Sequence, residues 1–357
     1  MKRSFLTLAI LTMAALIVVI MFALKDGSPE KPVADTLLVP AIASQINEVD
    51  RVEIVTAGNT NVATLVRAEG AWQLEQLDGY RADWSKLQAL LAALAQASVI
   101  EAKTDNPDYY SRLGVEDVAA ADAGSVLVNI SIGDETTGLL IGHRAQGRQG
   151  QYVRLKGVAG SLLVDREFEI PAQTRDWADT QIIDVNSSEV AEVEIIHPTS
   201  ERILVMRISA DQTDFDLAGL PSDREIKSSW AVNSLGSVFS LLNLETVRPE
   251  GDVDWTGAVR MRMLMFSGVE IMADLVEQGD EYLLRLQASH PGASVVKDDS
   301  GNSVAQQEIE QQAADDVAKE VERINQKAKG WVYGISKQKF EAMVKKPEDL
   351  LKPLETT

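Results

Sequence analysis

Few side chains in this sequence of 357 residues have the types and spacing that chemistry requires. Its three histidines, His143, His197 and His290, each stand apart from any second histidine or carboxylate at a metal-ligand spacing such as His-Glu-x-x-His. His143 lies in a glycine-rich stretch, and the other two each precede a proline. We therefore expect all three to be surface loop residues, and we predict no metal site.

Two other stretches resemble ligand-binding loops in composition alone. Residues 142–150 are rich in glycine but lack the Gly-Lys-Ser/Thr of a phosphate loop and the spacing of the dinucleotide fingerprint, so we expect a hairpin loop. Its two arginines, Arg144 and Arg148, could contact an anionic partner. An ordinary turn, without the glycine and distal glutamate of an EF-hand loop, is expected at Asp211, Asp214 and Asp216.

The usual nucleophiles of enzymes are also missing from the sequence. Cysteine is absent, which excludes disulfides, thiol catalysis, iron–sulfur clusters and cysteine-ligated zinc. No Gly-x-Ser-x-Gly elbow supports a hydrolase serine. The 54 aspartates and glutamates are too many for any pair to be singled out as a glycosidase acid and nucleophile. We therefore predict a non-enzymatic protein without a cofactor.

The charge balance restricts the class of partner. The formal net charge is −20, which argues against nucleic acid and against an anionic lipid surface as partners, because both need a basic protein face. Self-repulsion that favours solubility explains the acidity, and an acidic docking face for a basic partner is the alternative.

The N-terminal residues predict a membrane anchor. Residues 5–24 are apolar except for Thr7 and Thr12, and as a helix they would span about 30 Å, the thickness of the hydrocarbon layer. Lys2 and Arg3 before this segment predict that the N-terminus is cytoplasmic. The anchor residues that we single out are Phe5, Leu16, Ile17, Ile20 and Leu24.

A cleaved signal peptide is the alternative reading of this segment. The apolar run is longer than a signal-peptide core and has no Ala-x-Ala site after it, so we favour an uncleaved signal-anchor. Residues 1–4 would then be a cytoplasmic tail and 25–36 a tether. The bulk of the chain would lie in the periplasm, held to the inner membrane by a single span in the lipid bilayer.

The remaining chain is predicted to repeat one unit twice. Val52 and Ile54 alternate with polar residues in a strand whose pattern returns at Val193 and Ile195. Each copy continues with two more strands and an amphipathic helix, marked by Leu87, Leu90 and Leu94 in the first and by Val232, Leu235, Phe239 and Leu244 in the second. We place the first repeat at 37–184, with a closing helix at 167–177, and the second at 189–357.

The second copy carries an insert at about 289–329, where the first copy has only residues 156–160. The insert contains a charged helix with one thin apolar stripe, which either packs back on its own domain or binds a partner. The stripe residues that we treat as a possible partner contact are Ile309, Val317, Val321 and Ile324.

The predicted fold class is therefore α+β. We expect tandem duplicated lobes of antiparallel sheet with helices on one face, preceded by one transmembrane helix.

Several short motifs resemble those of a known family. They are Leu-Val-Pro near the start, Val52-Glu-Ile, Trp72-Gln-Leu, Tyr80-Arg-Ala-Asp, Leu113-Gly-Val, Leu140-Ile-Gly, Tyr152-Val-Arg-Leu and Asp176-Trp-Ala-Asp. The pattern is similar to the domain of unknown function 4340 family over residues 37–184, and the second copy fits it in outline only. The resemblance implies a single-span extracytoplasmic protein whose gene accompanies ABC-type exporters and gliding-motility-like transport systems. It implies no catalytic residues.

Three functional hypotheses follow. The leading one is a non-enzymatic accessory or scaffold protein of a membrane transport complex, with transporter subunits as partners. The second is a membrane-tethered binding module for an envelope polysaccharide or peptide. An anchored hydrolase is the third.

Overall fold

The computed structural model describes residues 36–251, 253–291 and 304–353, and the side chains of residues 304–311 lie outside this description. The predicted membrane anchor at 5–24 also lies outside the described residues. Among the residues described, no helix combines the length and the apolar character that crossing a membrane would require. The architecture is mainly antiparallel sheet with some helices, which agrees with the predicted α+β class.

The described chain contains nineteen strands and seven α-helices, joined by short 3₁₀ turns. The helices are α1 Pro40–Ser44, α2 Trp84–Gln96, α3 Tyr110–Leu113, α4 Ser229–Asn233, α5 Val304–Ala328, α6 Lys337–Met343 and α7 Pro347–Leu350. The strands are β1 Arg51–Thr56, β2 Thr60–Ala68, β3 Ala71–Leu74, β4 Tyr80–Arg81, β5 Val99–Ala102, β6 Val126–Ile132, β7 Glu135–Arg144, β8 Gln151–Leu155, β9 Ser161–Val164, β10 Gln181–Ile183, β11 Val190–Ile196, β12 Arg202–Met206, β13 Asp216–Leu217, β14 Leu242–Asn243, β15 Thr246–Pro249, β16 Val259–Met265, β17 Glu270–Gln278, β18 Glu281–Ser289 and β19 Trp331–Gly334.

The two large sheets have the same strand order. The first runs β4-β3-β2-β1-β6-β7-β8-β9-β5, and the second runs β13-β12-β11-β16-β17-β18-β19-β15. Apart from the extra edge strand β4, each strand of the first sheet has a counterpart at the same place in the second. The predicted duplication requires this correspondence. The connection from β8 to β9 is a short turn, whereas the connection from β18 to β19 contains α5, the helix expected in the insert.

The chain divides into two compact units whose bounds differ from the predicted repeats. Unit 1 comprises the described residues up to Thr64 together with Ser85–Ile170, and unit 2 comprises Leu65–Trp84 and the residues from Pro171 onward. Residues 65–84 and 171–184 therefore belong to unit 2, although the sequence assigned them to the first lobe. Backbone hydrogen bonds tie these two segments together, from the Asp83 amide to the Trp177 carbonyl at 2.7 Å and from the Asp179 amide to the Arg81 carbonyl at 3.1 Å.

Side-chain alternation divides the sheet of unit 2 into an apolar and a charged face. Val193, Ile195, Met261 and Met263 are fully buried on one face, and the paired positions of β17 continue this layer. The opposite face carries arginine and carboxylate side chains in register across β11, β16, β17 and β18. A sheet with one apolar face and one solvated face is the expected form for antiparallel strands.

Unit 1 buries residues on both faces of its strands. Val52 and Ile54 of β1 are buried and pair in register with Ile130 and Val128 of β6. On the other face a small apolar cluster forms around Val118, Leu127 and Leu140, with Val55 packed against it. The loop that contains Val118 covers this second face.

Two predicted helices are shorter than expected. The helix placed at 167–177 is only a 3₁₀ turn, Thr174–Trp177, because Pro171 lies inside the segment and proline cannot donate a helical hydrogen bond. In the second repeat α4 ends at Asn233 and a 3₁₀ turn follows at Ser234–Ser237. The predicted apolar residues of this segment are nevertheless all buried, namely Val232, Leu235, Phe239 and Leu244.

The family-like motifs of unit 1 are explained by close packing of backbone and side chains. A Cβ atom on Gly142 would lie 2.3 Å from the Leu113 carbonyl oxygen and 2.7 Å from that of Gly114. Arg154, which is 4% exposed, donates from Nε to the Val115 carbonyl at 2.8 Å. The Leu-Ile-Gly and Tyr-Val-Arg-Leu motifs thus both contact the Leu-Gly-Val motif, and their role in this unit is structural.

We predict that Gly142→Ala lowers the free energy of unfolding by about 1–3 kcal/mol, because the added methyl group would collide with backbone that cannot rotate away. The matched control is Gly160→Ala, because a Cβ at that glycine meets no atom within 4 Å. Thermal unfolding of the chain starting at Lys25 measures both variants. Equal melting temperatures for the two variants would contradict the close approach at Gly142.

Candidate functional site

A cavity lies in unit 2, where β18 and β19 separate. It measures about 660 Å³. Strand β18 pairs with β17 along its full length, from Glu281 to Ser289, but with β19 only at Leu283 and Leu284. In the first sheet the equivalent strands β8 and β9 stay paired from Gln151 to Arg154. The cavity therefore opens where the connection that contains α5 replaces a tight turn.

The last turns of α5 take the place of the missing strand partner. Asn325 accepts a hydrogen bond from the Ala288 amide and donates one to the Ala288 carbonyl, both at 2.8 Å. This side chain thus satisfies the edge of β18 as a paired strand would. Ile324 and Ala328 on the same helix are 3% and 2% exposed, so the end of α5 is packed into unit 2.

A network of charges around Asp179 fixes the end of α5. Asp179 Oδ2 lies 2.7 Å from Arg81 Nε and 3.0 Å from Lys327 Nζ. Arg81 Nη1 also donates to the Lys327 carbonyl at 2.8 Å, and the Tyr333 hydroxyl donates to the same carbonyl at 2.7 Å. These bonds satisfy a carbonyl at the C-terminus of the helix, which would otherwise have no partner within the helix.

Burial and charge set the protonation of this network. Burial opposes ionisation of Asp179, but the hydrogen bonds from Arg81 and Lys327 outweigh it and hold the pKa of this carboxyl below its usual range. Burial raises the pKa of the Tyr80 phenol well above its ordinary value, so the hydroxyl stays neutral and donates to the Asp179 carbonyl at 3.1 Å. The Tyr80 ring also meets the Trp331 ring edge to face, with centroids 4.9 Å apart.

The charged face of the sheet supplies one side of the cavity. Asp274 on β17 lies between Arg260 on β16 and Arg285 on β18 in register. Its Oδ1 accepts from Arg260 Nε at 3.0 Å, and its Oδ2 accepts from two nitrogens of Arg285. Arg285 also pairs with Glu250 at 2.6 Å. We call Arg260, Asp274 and Arg285 the charged row.

The charged row also borders a second cavity of about 340 Å³. Trp255 lines this cavity, and the Arg285 guanidinium lies over its ring at 4.5 Å. The indole Nε1 of Trp255 is buried and has no hydrogen-bond partner in the part of the chain that the structure describes. The charged row lines both cavities, which we together call the groove. Trp331 lines the larger cavity and Trp255 the smaller one.

The predicted site residues fall in different places. The anchor residues Phe5, Leu16, Ile17, Ile20 and Leu24 lie outside the described residues, as does the side chain of Ile309. Val317 and Val321 are half-buried on α5, whereas Ile324 is buried in the protein itself. In the hairpin loop Arg144 pairs with Glu167 at 3.2 Å and Arg148 with Glu101 at 3.0 Å.

One histidine prediction was wrong. His197 is 7% exposed, and its Nε2 lies 2.9 Å from the Lys345 carbonyl oxygen, so it is buried by contact with the chain after α6. His143 is exposed on the predicted hairpin, where its ring lies 2.9 Å from the position of a Cβ on Gly114. Within the described ranges no group of three or more histidine and carboxylate side chains is arranged to hold a metal ion.

The sequence did not reveal the residues of the groove. Arg81 and Asp179, which fix the end of α5 beside the groove, occur within family-like motifs, and these motifs were a signal that the two residues are important. Arg260, Asp274 and Arg285 gave no signal, because only the strand register brings them side by side. Trp331 gave no signal either, because its position beside the cavity depends on where α5 ends.

The fold and the groove define an α+β protein whose two large antiparallel sheets have the same strand order, and a helical insert opens the second of them. The chain belongs to the family described as domain of unknown function (DUF4340), whose sequence model matches residues 72–255. This match begins within the first predicted repeat and extends into the second. No curated protein and no solved structure matches the chain.

We predict that Asp179→Asn lowers the free energy of unfolding by about 1–3 kcal/mol at pH 7, because Arg81 and Lys327 lose a shared, largely buried carboxylate. The pKa of Asp179 is depressed in the folded state, so its contribution is present above the ordinary carboxyl pKa of about 4 and is lost as the pH falls through the folded value. Melting temperatures of the wild-type chain and the variant should therefore converge in acid.

Asp316→Asn is the matched control for this measurement. Asp316 pairs with Lys319 at 3.3 Å on the solvent side of α5, and both side chains are exposed. Its replacement should leave the melting temperature unchanged, because exposed ion pairs contribute little. A difference between wild-type and Asp179→Asn chains that stayed constant from pH 7 to pH 3 would contradict the role of the Asp179 charge.

Proposed function

We propose that the protein is a non-enzymatic, membrane-anchored extracytoplasmic accessory protein of a membrane transport complex, linked to an ABC-type exporter. The apolar segment at 5–24 and the basic residues Lys2 and Arg3 support the anchor and its orientation. The family resemblance supports the link to a transporter. The proposed location is the inner membrane, with the two sheets in the periplasm.

The observation that carries the non-enzymatic part is the hydrogen bonding of Asp274, one of the two carboxylates in the groove. Both oxygens of Asp274 accept hydrogen bonds from guanidinium groups. A general acid needs a carboxyl whose pKa is raised, and a general base or nucleophile needs an oxygen that a substrate can reach. Both oxygens of Asp274 are already hydrogen-bonded to the two arginines, so the geometry favours positioning of these arginines over catalysis.

Tethering is the proposed mechanism. The twelve residues of the predicted tether at 25–36 could span at most about 40 Å when fully extended. The tether would hold the folded units within a few nanometres of the bilayer and raise their effective concentration at a membrane partner. The solvent side of α5 carries ion pairs such as Glu320–Arg323, which are typical of a solvated helix.

A membrane-tethered binding module is the second candidate function, and the groove favours it. The two cavities of the groove contain charged side chains that pair with one another, and one tryptophan lines each cavity. Pockets with a few fixed polar groups and aromatic walls are the usual form of ligand sites. The hydrolase hypothesis would need a carboxyl with a raised pKa, whereas that of Asp179 is lowered.

We predict that the tagged full-length protein, extracted in a mild detergent, copurifies with an ABC-type permease or ATPase in stoichiometric amount. A chain that starts at Lys25 should lose this association, because it lacks the anchor that raises its local concentration. Mass spectrometry of the purified fraction measures both. The control exchanges residues 5–24 for an unrelated membrane-spanning helix and should keep the association if tethering is sufficient.

Recovery of the full-length protein alone would count against a stable transport complex and would favour the binding module. The proposed orientation has its own test, which is digestion by an added protease in cells with a permeabilised outer membrane. The protease should cleave the two folded units in these cells. Protection of these units until the inner membrane is lysed would overturn the extracytoplasmic location.

A further inference from the structure

We propose that the groove binds an acidic saccharide, that is, an oligosaccharide whose sugar rings carry carboxylate groups. The proposal rests on the second candidate function, because it gives the binding module a ligand, and it does not depend on a transport complex. The proposed binding residues are Arg260, Lys329, Trp255 and Trp331.

The first argument is the excess of hydrogen-bond donors and positive charge in the groove. Arg260 reaches Asp274 only through Nε, so its two terminal nitrogens have no partner among the residues described. The same is true of the Lys329 ammonium group and the Gln287 amide, which line the same cavity. Asp274 already accepts three hydrogen bonds from the two arginines, so a ligand that supplies acceptors complements the groove better than one that supplies donors.

The larger cavity is lined by more positive than negative side chains. The lining of the larger cavity includes three cations, Arg260, Arg285 and Lys329, and two anions, Glu250 and Asp274. This small local surplus of positive charge occurs in a protein with a net charge of −20. The terminal nitrogens of Arg260 form a planar fork that matches a carboxylate, and Lys329 offers a point charge to the same group or its neighbour.

Each of the two cavities has a tryptophan in its wall. Trp331 lines the larger cavity and Trp255 the smaller one, and the charged row lies in both. Tryptophan combines a flat apolar face with a polar N–H group, and this combination suits a sugar ring with one apolar face and a rim of hydroxyls.

A peptide ligand fits the groove less well. Addition of a peptide strand needs free backbone groups at a sheet edge, and Asn325 already satisfies both the amide and the carbonyl of Ala288. A peptide side chain would need an apolar pocket as an anchor, whereas seven of the thirteen residues that line the larger cavity have charged or amide side chains. A chain of acidic sugars needs neither feature.

The test is calorimetric titration of the full-length protein in detergent with trigalacturonate. We expect saturable binding to the wild-type protein and affinity weaker by about tenfold or more in each of Arg260→Gln and Lys329→Gln, since each loses a charge-assisted hydrogen bond. Lys319→Gln is the matched control, because it removes the same charge from the solvent side of α5. It should bind like the wild type.

Two further ligands define the chemistry. The methyl-esterified trisaccharide has the same rings without charge and should bind much more weakly, and inorganic phosphate should not displace trigalacturonate at equal concentration. Absence of binding at millimolar trigalacturonate, or equal affinity of the wild type and both groove variants, would overturn the proposal. Equal binding of the esterified sugar would refute the acidic ligand while keeping the binding module, and displacement by phosphate would reduce the groove to a site for small anions.

Discussion

One carboxylate, that of Asp179, holds together three separate parts of unit 2. The carboxylate binds Arg81 of the hairpin before α2 and Lys327 near the end of α5. The backbone carbonyl of Asp179 accepts a hydrogen bond from the Tyr80 hydroxyl. Because Arg81 and Tyr333 both donate to the Lys327 carbonyl, the same network ends the helix and starts β19. The position of Trp331, and with it one wall of the groove, depends on these contacts.

The groove is a consequence of an insertion into a repeated topology. Both sheets use the same strand order, and the first keeps β8 and β9 paired over a short turn. In the second sheet a 25-residue helix enters between the equivalent strands. The strands then separate after two paired residues, and Asn325 substitutes for the lost strand at Ala288. A sheet edge opened in this way would be prone to unwanted pairing, and a helix that covers it removes that risk.

The charged face of the second sheet stabilises itself by cross-strand pairing. Arg262 contacts Glu192, Glu194 and Glu270 from neighbouring strands, so its charge is fully matched. Arg260 stands two residues away on the same strand, has one partner among the residues that the structure describes, and has a side chain that is 57% exposed. The contrast between these two arginines separates the part of the face that is purely structural from the part that has donors to spare for a ligand.

The sequence by itself determined the fold class, the repeated order of the first strands and the place of the helical insert. These follow from local patterns, since alternation at Val52 and Ile54 recurs at Val193 and Ile195, and the spacing of buried leucines marks α2. It also predicted the membrane anchor from the length of the apolar run and the basic residues before it. The absence of cysteine, which excludes disulfides and thiol chemistry, was also read directly from the sequence.

Only the tertiary structure decided the bounds of the two units, the burial of His197 and the existence of the groove. Each depends on pairs of residues far apart in the chain, such as Arg81 with Lys327 or Arg260 with Asp274, and local patterns carry no information about such pairs. The close packing of Gly236 is a further example. A Cβ on Gly236 would lie 2.6 Å from the Phe215 ring, and local sequence spacing does not predict this contact.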